Sequence, residues 1–183
     1  MGAAGIDLLE SVLAKTGSVI AGVRPGQTQL PTPCPDYDVA RLVDHLLGWA
    51  HSFAARLDGA TFAGDPNQYR AGPDPAAEFG VAARTMVAAY RDGREQARLP
   101  AGLLVIEFLT HGWDLATATG QPVTFTSAEA EMGLDAGRQM LKPEYRGPGK
   151  TFGEQVPVPG SGGAVDRLLG FLGRNPHWPD TSH

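Results

Sequence analysis

The sequence predicts an all-α fold, and three observations predict it. Apolar residues recur at helical spacing along four long segments and smaller ones, strand patterns of period two are nearly absent, and Pro/Gly-rich joints separate the segments. Long amphipathic helices must bury their apolar stripes against one another, so a helical bundle with inward side chains on facing helices follows.

Each element has a local cause. A first helix is expected from about Ile6 to Val23, where Leu9, Val12, Leu13, Val19 and Ile20 make one stripe, and Pro25-Gly26 stops it. Leu30-Pro31-Thr32-Pro33-Cys34-Pro35-Asp36-Tyr37 cannot be helical, because its prolines remove backbone donors and hold their predecessors extended. Asp38 reads as the cap of a second helix reaching about Asp58-Gly59, with Leu42, Leu46, Trp49, Phe53 and Leu57 on its apolar face. After a loop through Pro66 and Pro73, Asp74-Pro75 opens a third helix carrying Phe79, Ala82, Met86, Ala89 and Tyr90. A fourth follows Pro100 and ends near Gly120-Gln121-Pro122.

Thr126 and Glu129 have capping-box spacing and start a fifth helix toward Leu141. From Pro143 to Gly163 proline and glycine dominate, and Val156-Pro157-Val158-Pro159 should be extended. A short last helix, from about Ala164 to Gly173, precedes a Pro-rich tail.

With 183 residues, 42% of them hydrophobic and 19% charged, the chain can bury a substantial core and is expected to form one domain over 1–183. A net charge of -5 without any basic cluster argues against a nucleic-acid backbone as partner. No apolar run approaches the roughly 20 residues that span a bilayer. The start lacks the charged and then apolar regions of a signal peptide, so a cytoplasmic protein with no membrane partner is expected. Cys34 is the single cysteine and has no internal disulfide partner.

Chemistry concentrates on the fourth helix, in Val105-Ile106-Glu107-Phe108-Leu109-Thr110-His111. Glu107 and His111 are separated by four positions, a little over one turn, so both project from one face, which Leu104, Phe108 and Leu115 share. A carboxylate is costly to bury unless it is paired or metal-bound. On the second helix His45 aligns with Leu42, Trp49 and Ser52 beside the core stripe, whereas His51 lies well off that line and should face solvent.

His45, Glu107 and His111 therefore read as an open three-ligand site for a divalent cation, the catalytic pattern, structural zinc being closed by four ligands. The same spacing also suits a hydrogen-bonded Glu–His pair and a satisfied core histidine.

The residues resemble a family. His45 in Val43-Asp44-His45-Leu46-Leu47-Gly48, preceded by Thr32-Pro33-Cys34-Pro35, is similar to the DinB-like bundle of the mycothiol-dependent maleylpyruvate isomerase N-terminal family. So are Glu107 and His111 with Gly112-Trp113-Asp114-Leu115-Ala116-Thr117-Ala118-Thr119-Gly120. Phe152-Gly153-Glu154-Gln155-Val156-Pro157-Val158-Pro159 and Asp166-Arg167-Leu168-Leu169-Gly170-Phe171-Leu172-Gly173-Arg174-Asn175-Pro176 look like its small actinobacterial single-domain branch.

The resemblance implies a DinB-like four-helix bundle with additional short C-terminal helices. It also implies a divalent metal, Zn2+ first and Ni2+ or Fe2+ next, held by His45, Glu107 and His111. By the same resemblance mycothiol would be co-substrate of an S-transferase or isomerase acting on a small electrophile, with homodimerisation through helix faces common in such bundles. Tyr37 stands where relatives often carry Trp, and the sequence ends without the further C-terminal domain of the full-length isomerase. The alternatives are a non-enzymatic metal- or ligand-binding module and a metal-dependent hydrolase using water.

Other residues carry weaker signals. Asp114 lies three positions beyond His111 and could orient a ligand histidine, carry a proton, or bond to a neighbouring helix. Trp49 and Trp113 could wall a pocket or fill the core, and Cys34 could meet a thiol substrate or the metal, or pack as a small buried residue. Gly147-Pro148-Gly149-Lys150-Thr151 looks like a phosphate loop, but Glu144 stands where its first glycine is required. Arg138, Lys142, Arg146 and Arg174 could bind an acidic thiol cofactor, but nothing in the sequence places them near the metal, and most should be solvated surface charges.

Overall fold

The computed structural model describes residues 2–94, 99–122, 125–150 and 152–179. Their helices are α1 (Ala3–Ala21), α2 (Val39–Leu57), α3 (Pro75–Arg91), α4 (Ala101–Thr119), α5 (Ser127–Met140) and α6 (Ala164–Phe171). Among the described residues there is no strand, only two isolated bridges, Pro31 with Asp38 and Arg146 with Phe152. The architecture is the all-α, DinB-like bundle expected, with α5 and α6 added to four long helices.

The ends of these helices are set by the local chemistry read from the sequence. Asp38 Oδ1 accepts from Arg41 N at 2.8 Å and Asp74 Oδ1 from Ala77 N at 3.0 Å, each satisfying a first-turn donor. Thr126 and Glu129 close the capping box reciprocally, at 3.3 and 2.7 Å. Gly120 ends α4 with φ 68°, the left-handed conformation that glycine adopts without steric cost.

The bundle has an up-down-down-up course. Helices α1 and α4 run parallel: Thr16 Oγ1 donates to Phe108 O, and Gln121 Nε2 to Val19 O. Helix α3 opposes α1, since Arg91 pairs with Glu10 while Gly17 faces Phe79. Helix α2 opposes α4, with His45 beside His111 and Phe53 beside Phe108. Between them lie Leu9, Leu13, Leu42, Leu46, Phe79, Met86, Leu104 and Phe108, all shut off from solvent. Burying each such side chain contributes about 1.5–3 kcal/mol, which fixes how α2 faces α4.

Because α2 and α3 run in the same direction, the 58–74 connection must return along the length of α2. Trp49 Nε1 donates to Asn67 Oδ1 at 3.2 Å, and Ala71 N donates to Asp44 Oδ1 at 2.8 Å. Gly48 is required here, because a Cβ on it would lie 2.1 Å from the Pro66 carbonyl oxygen. This strap corrects the expectation for His51. That ring does not face solvent; it is half-buried, its Nε2 lies 2.9 Å from Glu78 Oε1, and it stacks on Tyr69 at 5.2 Å. Helical periodicity along α2 cannot register a covering segment that arrives from elsewhere in the chain.

The Val156–Pro159 segment is irregular and passes across α6, where Val156 N donates to Gly170 O at 2.9 Å. No described helix is long and apolar enough to cross a membrane.

Candidate metal centre

Helices α2 and α4 bring three donors together. His45 Nε2 lies 3.0 Å from Glu107 Oε1, and His111 Nε2 lies 3.9 Å from the same oxygen. The four-residue step along α4 aims Glu107 and His111 at α2, and the place of His45 beside the Leu42–Leu46 stripe aims it at α4. The two imidazole rings meet edge-on with centroids 4.8 Å apart. One ligand atom from each residue lies within 4.8 Å of the other two.

Two of these atoms have no hydrogen-bond partner among the described residues. His45 Nε2 and Glu107 Oε1 are buried, and despite their 3.0 Å separation they are not aligned to bond. An unsatisfied buried polar atom costs about 1–3 kcal/mol, more when charged. Two orphaned acceptor-capable atoms converging on one point fit a cation. Ligand atoms each about 2.1 Å from a tetrahedral ion would stand about 3.4 Å apart, which the 3.0 and 3.9 Å spacings bracket. The two-nitrogen, one-carboxylate donor set suits Zn2+ and related divalent ions.

Charge at the centre is fixed by its surroundings. Burial pushes the Glu107 carboxyl up, but His111, His45 and Arg174 pull it down and prevail, so it stays an acceptor-only carboxylate. His111 Nδ1 lies 3.0 Å from Asp114 Oδ2, and Asp114 is fully buried. The carboxylate can only accept, so His111 donates through Nδ1; with a cation in place of the second proton, Nε2 would be the nitrogen that faces it beside Glu107. On the far side Arg174 Nε donates to both Asp114 oxygens at 3.1 Å. Arg174 is thus not a solvated surface charge; its side chain is only 12% exposed and neutralises a buried carboxylate.

His45 has its own partner. Tyr37 Oη lies 3.0 Å from His45 Nδ1, with the rings tilted at 4.7 Å. Cys34 Sγ comes within 4.8 Å of ligand atoms of His111 and Asp114. Burial pushes its thiol up to about 11, against the pull of Arg174, so at neutral pH it packs as a protonated side chain. Trp49 forms a wall, stacked against Phe53 at 5.3 Å with its ring centre 6.4 Å from that of His45. Trp113 is buried.

Sequence periodicity therefore brings His45, Glu107, His111, Asp114 and Trp49 to one place, as the structure does, but misses the contacts of Tyr37 and Arg174. Both residues lie outside the long helices, where no period marks direction. A signal for Arg174 existed only indirectly, in the need of a buried Asp114 for a counter-charge.

Two curated relatives from Mycobacterium tuberculosis are similar to this chain: an uncharacterised protein of strain CDC 1551 / Oshkosh and one of strain H37Rv. Each is 34% identical over 169 residues, covering 86% of this chain and 90% of the relative. No solved structure gives a significant match. The family model for the mycothiol maleylpyruvate isomerase N-terminal domain matches residues 9–116, a span holding His45, Glu107, His111 and Asp114. The chain, whose bundle converges two imidazoles and a carboxylate on one point, belongs to the mycothiol maleylpyruvate isomerase N-terminal domain family.

Proposed function

We propose that the chain binds a divalent cation, Zn2+ foremost, through His45 Nε2, Glu107 and His111 Nε2, and uses it in mycothiol-dependent S-transfer or isomerisation of a small electrophile. The observation that carries this reading is the pair of buried, unbonded atoms His45 Nε2 and Glu107 Oε1 facing each other at 3.0 Å. Family membership supports the thiol class.

When bound, the ion would supply a Lewis acid that favours the thiolate form of a cofactor thiol. The protein's residues do the rest. Glu107 contributes one negative charge, so a dication with two neutral imidazoles keeps a net positive charge that attracts an anionic ligand. His45, Glu107 and His111 would hold the ion with only three ligands, fewer than a closed structural site uses, so a cofactor thiol could still reach it. Asp114 holds the His111 proton on Nδ1, keeping Nε2 free. Trp49, packed on Phe53, forms the wall beside His45 on the α2 side.

Calorimetric titration of the wild-type chain and H45A with Zn2+, then with mycothiol, tests the ligand assignment. Tight 1:1 binding by wild type and loss in H45A is the expected result, and equal binding by both proteins would refute it. Turnover of monochlorobimane with mycothiol tests the thiol chemistry. Turnover without any thiol would point to hydrolysis, and binding without turnover to a carrier.

A further inference from the structure

The turn between Pro31 and Asp38 reaches both histidines of the centre. Tyr37 Oη lies 3.0 Å from His45 Nδ1, its ring meets His111 edge-on at 6.3 Å, and Cys34 packs beside His111 and Asp114. The turn is braced from within. The buried Thr32 hydroxyl sits 2.9 Å from Cys34 O and 2.8 Å from Tyr37 O, and accepts from Cys34 N at 3.2 Å. Tyr37 N donates to Cys34 O at 3.1 Å, and Val39 N to Leu30 O at 3.1 Å across the Pro31–Asp38 bridge. Pro31, Pro33 and Pro35 each fix φ, so little backbone freedom remains. A turn so constrained presents the phenol in one place.

We propose that Tyr37 is a positioning residue of the metal centre: its hydroxyl accepts the Nδ1 proton of His45, and Thr32 holds Tyr37 there. This inference rests on the divalent-cation reading and adds to it the group that selects the His45 tautomer. A neutral imidazole carries its proton on one nitrogen, and only the Nδ1–H form turns an Nε2 lone pair toward Glu107 and His111. The Nε2–H form would aim a proton at the cation. Asp114 settles the same choice for His111, so each histidine has its own partner, one a carboxylate and one a phenol. The Thr32-Pro33-Cys34-Pro35 motif then has a physical role as the rigid base that sets Tyr37 over His45.

The test uses the full chain as wild type, Y37F, H45A, Y37F/H45A and T32V, with Zn2+ affinity from chelator competition. The expected result is a loss of ~10–100-fold in Y37F, the usual cost of removing a ligand's outer partner. In the H45A background Y37F should cost nothing further, because the partner it orients is gone. T32V should weaken binding in the same direction as Y37F and by less. A wild-type affinity in Y37F, or an equal loss with and without His45, overturns the proposal. Should Y37F not fold, long-range 1H–15N spectra of metal-free wild type decide the matter: His45 protonated at Nδ1 supports the proposal, and at Nε2 overturns it. Absence of Zn2+ binding by wild type is a different failure; it removes the cation reading and Tyr37's role with it.

Discussion

His45 Nε2 and Glu107 Oε1 face each other at 3.0 Å, each buried and each without a hydrogen-bond partner among the described residues. Close approach without alignment is what two ligands of a common cation show, since each lone pair points at the ion instead of at its neighbour. A bound ion would remove the cost of both orphaned atoms at once.

Adding Zn2+ should therefore raise the thermal midpoint of the wild-type chain. Ligand binding to the folded state adds RT ln(1 + [L]/Kd), about 2.7 kcal/mol at one hundred times Kd. E107Q keeps the shape of the side chain but removes its charge. Its Zn2+ affinity should fall more than ~100-fold, beyond the loss of an outer partner. The metal-free E107Q protein should be as stable as metal-free wild type or more so, because an amide can both donate and accept beside His45. Scanning calorimetry with and without Zn2+ checks both; a metal-induced shift that survives E107Q would sink the assignment.

Asp114 is the second fixed point. It accepts from His111 and Arg174 while fully shielded from solvent, so D114N removes a charge that two partners depend on. Arg174 is left buried without a counter-charge, and breaking such a pair costs about 3 kcal/mol. Denaturant unfolding should show that loss, together with a ~10–100-fold fall in Zn2+ affinity through the freed His111. Replacing Arg174 by Met in the D114N background should recover part of the stability but none of the affinity.

How far the centre could be read from the chain depended on where each residue sits. Helix boundaries were legible because Asp38, Asp74, Thr126 with Glu129, and Gly120 act within one turn of themselves. His45, Glu107 and His111 were legible because a helix converts spacing into direction. Tyr37 and Arg174 were not. The first acts from a turn, and the second from beyond α6, sixty positions from Asp114. His51 was misplaced for a related reason: the strap that covers it is held by long-range contacts from Asn67, Tyr69 and Ala71.

The strap itself makes a prediction. Gly48 precedes Trp49 on α2 and faces the strap, with the Pro66 carbonyl where a Cβ would go. G48A should push 58–74 away from α2, breaking the Trp49–Asn67 bond and costing ~1–3 kcal/mol through overpacking. Trp49 fluorescence should shift to the red as its indole meets water. An unchanged spectrum with unchanged stability would show that the strap adapts freely.

The last prediction concerns acid stability at the opposite side of α1. Glu129 is 1% exposed, receives Lys15 Nζ at 2.7 and 2.9 Å, and accepts from Thr126 N at 2.7 Å. Burial pushes its carboxyl up, but Lys15 and the Thr126 amide outweigh burial and hold it below the ordinary value of 4.5. A group depressed on folding stabilises the native state above its unfolded value, and that contribution disappears as pH falls through the folded value. Wild-type unfolding free energy should thus rise with pH through this acid range more steeply than that of E129Q. At neutral pH E129Q should be less stable by ~2 kcal/mol, the scale of a charge-assisted bond, and the two curves should approach each other toward strong acid. Parallel curves from denaturant titrations at several pH values would mean that Lys15 and Glu129 contribute equally to both states.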